Sequence, residues 1–264
     1  MTFPSPPPTG TDSFDEFYFY GPDAAEVPWD THQAQPRLME LEALGGFSGE
    51  VLDIGCGLGD NAIFLASRGY SVTGLDGSPA AIEQARRRAA DAGLKPTFAV
   101  ADATNLTGFD GRFDTVLDSA LYHCLDDEGR QAYAASMHRA TRPGARWHLT
   151  CFSGGNVNGV IMAGPTGAVL HSNIRNTLAA NGWAIDFLGP TTYLANARAF
   201  TAQAAPSEDS PWADMSNFSP EQLEQLQKGN ERMATIIPLL DDDQIHLPVT
   251  AVHAHRIDQG KRRG

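Results

Sequence analysis

The chain is poor in cysteine, in positive charge and in long apolar runs, and each shortage excludes something. Among 264 residues there are three cysteines, Cys56, Cys124 and Cys151. Their number is odd and none makes a CxxC pair, so neither a disulfide framework nor a cysteine zinc site is expected. Nineteen Lys and Arg stand against 32 Asp and Glu, leaving a net charge of -13. A field of that sign repels polyanions and anionic bilayers, so no nucleic-acid or membrane partner is expected. No window reaches the ~20 apolar residues of a membrane-spanning helix. The start lacks the basic and apolar regions of a secretory signal, which makes a reduced, cytoplasmic protein the expectation.

With 42% apolar residues the chain can fill one sizeable core. Residues 1–12, rich in proline, read as a disordered tail, 13–44 as a lid or helical segment, and 259–264 as a second tail. From 50 onward short β-rich runs alternate with helical patterns, the mark of a parallel sheet with crossover helices. Strands are predicted over 50–55, 70–76, 96–102, 113–118, 145–152, 183–189 and 247–257. Asp60 reads as the N-cap of the first crossover helix. Ser78 with Pro79 opens a second helix whose buried stripe is Ile82, Ala85 and Ala89, and Asp126 caps a third. The pattern breaks over 195–246. One helix opened by Ser219-Pro220-Glu221, with Leu223, Leu226 and Met233 on an apolar face, reads there as a helical insertion or cap.

The chemistry concentrates in "VLDIGCGLGD" (51–60). Gly55, Gly57 and Gly59 allow a sharp strand-to-helix turn and close approach of a ligand to the backbone. A dinucleotide fingerprint would place its third glycine at position 60, where Asp60 stands, and a pyrophosphate would not welcome that carboxylate. Asp76 ends the second strand, where it can accept both hydroxyls of an adenosine ribose. Asp102 ends the third, able to accept from an adenine amino group while the Ala103 amide donates to a ring nitrogen. Asp53 can face a cationic amine. The set describes an acidic socket for a cationic adenosine ligand.

These residues, with "AVADATNL", "FDTVLDSALYHCL" and "RATRPGARWHLTCF", resemble the class I S-adenosylmethionine-dependent methyltransferases over about 45–190. Within them the chain is most similar to the thiopurine methyltransferase-like group, including bacterial enzymes acting on quinones and nitrogen heterocycles. The resemblance implies a Rossmann-like, seven-stranded, mostly parallel sheet with helices on both faces, an antiparallel last strand and 45–194 as the cofactor domain, closed by 247–258. It implies that Asp53, Gly55, Cys56 and Gly57 cradle the methionine part of S-adenosyl-L-methionine, with Trp29 of "VPWDTHQAQP" closing over it. Asp76 would hold the ribose, Gly77 and Ser78 the pocket rim, Asp102 and Ala103 the adenine. Asp118 and Ser119 would face the sulfonium.

The expected reaction is in-line methyl transfer to a small aromatic or heterocyclic acceptor at O, N or S, with S-adenosyl-L-homocysteine as product. Rival readings are a non-catalytic cofactor-binding regulator and an NAD(P)-dependent oxidoreductase. His123 can take a proton near neutral pH and Tyr122 can offer a ring edge or hydroxyl, so both are candidate catalytic and substrate-binding residues. Tyr18, Tyr20 and His32 are candidates for stacking on the acceptor. His253 and His255 share a strand face but have no carboxylate cluster, so no metal is expected. A homodimer remains open.

Overall fold

A computed structural model describes residues 27–153, 169–200 and 220–257. Its order is α1 (Pro36–Ala43), β1 (Glu50–Ile54), α2 (Asp60–Ser67), β2 (Ser71–Asp76), α3 (Pro79–Asp91), β3 (Thr97–Val100), β4 (Phe113–Ser119), α4 (Asp127–Ala140), β5 (Thr141–Cys151), α5 (His171–Ala180), β6 (Trp183–Asn196), α6 (Pro220–Ile236) and β7 (Gln244–Arg256). The strands form one seven-stranded sheet in the order β3-β2-β1-β4-β5-β7-β6. β1 to β5 pair in parallel, and β7 runs antiparallel between β5 and β6. This is the Rossmann-like architecture expected.

Alternation along the strands separates two cores. Leu52 and Ile54 of β1 and Val116 of β4 join Trp147, Trp183, Tyr133 and Met137 under α4 and α5. Val51 and Leu117, one residue out of phase, join Leu38, Leu65, Ile82 and Phe98 under α1, α2 and α3. The α3 stripe falls as expected, with Ile82, Ala85 and Ala89 buried and Ser78 Oγ accepting from Ala81 N at 3.0 Å. Asp126 caps α4 through Gly129 N at 2.7 Å.

Three boundaries differ from expectation. The N-cap of α2 is Gly59, at φ +86°, and Asp60 is its first helical residue. A side chain at Gly59 would meet Ala85 Cβ and Phe98 Cζ at 2.9 Å, so close packing against α3 and β3 demands glycine here. β5 begins at Thr141 directly after α4, taking in Arg142-Pro143-Gly144. β6 runs on to Asn196 because β7 pairs with it along its whole length. The tails, the aromatic stretch holding Tyr18 and Tyr20, and the side chains of Leu223, Leu226 and Met233 lie outside what the structure describes.

Candidate active site

The glycine loop leaves β1 with Gly55, Gly57 and Gly59 at φ +69°, +52° and +86°. Its backbone is anchored to the neighbouring strand, Gly55 N and Cys56 N both donating to Leu75 O at 2.7 and 3.0 Å. The Cys56 side chain is buried and joins the core beneath the loop, so only its backbone is left to face a ligand. Beside the loop, Asp76 accepts from Gly57 N at 2.8 Å and from Ser78 N at 2.9 Å. These bonds fix the orientation of the carboxylate beside the loop. Ser78 itself is fully buried. Its hydroxyl caps α3.

Asp53 is the anomaly. It is 1% exposed, and among the described residues neither carboxylate oxygen has a hydrogen-bond partner. Burial, then the charges of Asp76 and Asp118, push its pKa up to about 8, against a weaker pull downward from the Ala62 amide. A buried carboxylate without donors is costly unless a cation arrives. An amino acid ammonium seated on the glycine loop supplies that cation, so the residues fit S-adenosylmethionine.

Asp118 is equally buried but is used inside the protein. Its oxygens accept from Leu121 N at 2.7 Å and from Tyr133 Oη at 2.9 Å. Burial raises its pKa to about 7 against the pull of those donors. Between it and Leu121, Ala120 sits at φ +82° with its N–H on Thr150 O at 3.0 Å, a left-handed alanine at a strand end of the kind found where a site is held rigid. The Tyr193 hydroxyl lies beside Ser119, and burial, with the charges of Asp53 and Asp60 added, pushes its pKa up. Tyr193, from β6, therefore stands in the acid ladder although no motif marks it. Ser119 and Tyr193 also line a shallow cleft with Leu38, Leu117 and Leu149, and with Arg37 and His253. Asp102 is exposed, its Oδ1 accepting from Thr104 N and Oγ1 at 2.8 and 2.7 Å. Ala103 begins the 3₁₀ turn that Asp102 caps.

The two candidate catalytic residues part company. Tyr122 is completely buried in the core under α4, its hydroxyl donating to Asn173 Oδ1 at 3.0 Å. Burial pushes its pKa up to about 12. The expectation that it lines the crevice is corrected. The left-handed Ala120 and the 3₁₀ turn Tyr122–Cys124 turn the chain after β4 so that this side chain enters the core. His123 is 6% exposed and tilted against Phe152, ring centroids 4.4 Å apart at an interplanar angle of 56°. Burial and then the charge of Arg130 lower its pKa to about 3. Phe152 N donates to its Nδ1 at 3.5 Å, which assigns the ring proton to Nε2.

Ahead of α1, residues 27–35 form a strap tied to the crevice. Asn196 N donates to Pro28 O at 2.8 Å, and the Gln35 amide pairs with Leu194 O and N at 3.0 and 2.8 Å. Gln35 N reaches Asn61 Oδ1 at 3.0 Å. Trp29 lies half-buried in this strap. His32, also on it, is exposed at φ +53° and 3.4 Å from Asp30. His253 meets His148 at 2.7 Å between the Nδ1 atoms, and His255 meets Asp186 at 2.9 Å. Among the described residues no group of three side chains is arranged to hold a metal ion, and no helix is long and apolar enough to cross a membrane.

Known proteins agree with this geometry. Residues 51–144 match the family described as "Methyltransferase domain". A 2-heptyl-1-hydroxyquinolin-4(1H)-one methyltransferase of Mycobacteroides abscessus is 37% identical over 202 residues, 74% of this chain and 88% of that protein. The solved structure described as "Conversion of a Disulfide Bond into a Thioacetal Group during Echinomycin Biosynthesis" is 30% identical at TM-score 0.71, covering 95% of this chain and 94% of that one. The [4+2]-cyclase SpnF, 18% identical at TM-score 0.61 over 96% of this chain and 99% of its own, shares the fold. The chain belongs to the class I S-adenosylmethionine-dependent methyltransferases. It is an enzyme of methyl transfer, with S-adenosyl-L-methionine as its cofactor.

Proposed function

We propose that the enzyme methylates a small, flat heteroaromatic acceptor, as in the thiopurine methyltransferase-like group, at an atom that reaches the site already ionised or uncharged. The observation that carries this reading is the state of His123. An imidazole whose conjugate acid has a pKa of about 3 is too weak a base to remove a phenolic or thiol proton efficiently. With Nδ1 accepting from Phe152 N, its Nε2–H is a donor, suited to orienting an anionic oxygen. An N-hydroxylated heterocycle, the acceptor class named for the Mycobacteroides relative, is acidic enough to need no base.

Bound S-adenosylmethionine supplies a methyl group made electrophilic by positive sulfur. In this reading Asp53 and the glycine loop hold its amino acid end, Asp76 its ribose, and Asp102 with Ala103 its adenine. Gly77 contributes backbone at the rim. Ser119 and Tyr193 border the sulfonium, and Trp29 with His32 covers the crevice from the strap. The protein's contribution is orientation: donor and acceptor atoms in line, with water excluded.

A rate profile over hydroxylated heterocycles and phenols of graded acidity, read by S-adenosylhomocysteine release, tests the reading. Rates at pH 7 should track the ionised fraction of the acceptor. His123→Gln, which keeps an N–H donor, should retain most activity where His123→Ala does not. A pH–rate step near 6.5 that disappears in His123→Gln would instead make the imidazole the base.

A further inference from the structure

We infer that Arg88, a residue of α3 outside the cofactor ladder, is a positioning residue that clamps the 27–35 strap to the first turn of α2, so that strap and glycine loop close as one unit. The inference rests on the cofactor site proposed above. Arg88 Nη1 and Nη2 bond the two Asp30 oxygens at 2.9 and 2.7 Å, and Nη1 reaches both Asp60 oxygens at 3.1 Å. Asp30 belongs to the strap, while Asp60 opens the helix that follows the glycine loop. The Asp30 carboxylate is 3% exposed and that of Asp60 19%. Two carboxylates drawn out of water beside one another repel unless a cation joins them, and a planar guanidinium with paired donors can serve both where an ammonium cannot.

The other strap fastenings that the geometry shows, at Pro28, Gln33 and Gln35, are neutral hydrogen bonds. Arg88 is thus the charged joint, and it joins the strap to the element on which the cofactor loop turns. Burial raises the pKa of Asp60 even with Arg88 pulling it down, and the charge of Asp60 in turn raises that of Asp53. Loss of Arg88 would therefore loosen the strap and disturb the cofactor loop together.

The test pairs calorimetric titration of S-adenosylhomocysteine with hydrogen exchange of 27–35 in the full chain. In the wild type, ligand should slow exchange across the strap. In Arg88→Gln that protection should vanish, exchange over the strands β1 (50–54) and β2 (71–76) should stay slow, and the dissociation constant should rise about tenfold if the closed strap falls to about a tenth of the population. KM for the cofactor should rise with kcat nearly unchanged. Arg88→Lys should not restore either readout, and Asp30→Asn should reproduce the loss, with no further loss in the double variant. Wild-type affinity and strap protection in Arg88→Gln would overturn the clamp. If Arg88→Gln unfolds, Asp30→Asn alone decides, and unchanged strap protection there overturns it. A wild type that binds no S-adenosylhomocysteine would instead overturn the cofactor site.

Discussion

At the β1 end of the crevice a buried carboxylate has no partner, and one strand over, at β4, an equally buried carboxylate has both oxygens taken. Asp53 and Asp118 lie one residue apart in the β1–β4 register, with Ile54 opposite Asp118. Burial raises the pKa of each. The difference is what the surrounding chain offers. The glycine loop over Asp53 directs its amides to Leu75 O and Asp76, whereas the turn after β4 folds back to place Leu121 N and Tyr133 Oη on Asp118. In the proposed reading the first carboxylate meets the cofactor ammonium, while the second fastens the turn after β4. Burial and charge alone do not distinguish a binding acid from a structural one, and the donors around it do.

Asp53→Asn should break the cofactor side of this comparison most severely. It removes the charge that an ammonium would meet, and with about 1.5–3 kcal/mol at stake in a hydrogen bond to a charged group, affinity should fall roughly 10–100-fold. Free of ligand, the variant should be at least as stable as the wild type, because it no longer buries an ionisable group without donors. Calorimetric titration and thermal melts on the same samples read both effects. A loss of cofactor affinity accompanied by an equal loss of stability would mean that Asp53 is structural like its neighbour.

Asp118→Ala should do the reverse. It leaves a buried amide and a buried phenol without a partner, at about 1–3 kcal/mol each, so the melting temperature should drop while the cofactor dissociation constant stays within a few-fold of wild type. A large affinity loss with an unchanged melting temperature would move Asp118 to the ligand.

The pH dependence sharpens the same contrast. The folded pKa of Asp53, about 8, lies above the ordinary aspartate value of 3.8. The ligand-free folded state therefore holds a proton that the unfolded state has released, and stability falls as pH rises between those values. An ammonium favours the ionised carboxylate, so binding should release a proton. Affinity should tighten by up to about tenfold per pH unit on the way to pH 8, until the amino group of the ligand itself begins to deprotonate. Titrations in two buffers of different ionisation enthalpy count that proton, and Asp53→Asn should abolish it.

The cofactor half was legible in the sequence because its parts act where they stand. A glycine that turns and an aspartate that ends a strand each read locally, as do the caps at Ser78 and Asp126. Tyr193, Gln35 and Arg88 carry no such mark, for each gets its role from a contact distant in sequence: Ser119, Leu194 and Asp30 respectively. Asp60 was noticed for what it excludes, a pyrophosphate, while its partner on α3 was not visible. Tyr122 misled for a geometric reason, since a backbone reversal at Ala120 changes which face the next side chains take.

That reversal also yields the smallest expected effect. Ala120 at φ +82° bears a steric cost of about 1–2 kcal/mol that glycine would not, while glycine adds about 0.5–1 kcal/mol of unfolded-chain entropy. Ala120→Gly should thus stabilise the protein by no more than about 1 kcal/mol in a denaturant titration. Its activity should fall even so, because the alanine restricts the turn that presents His123, while affinity for S-adenosylhomocysteine stays unchanged. Activity and stability rising together would show that the strained turn serves packing alone. A fall in cofactor affinity would erase the division between the β1 and β4 ends of the crevice.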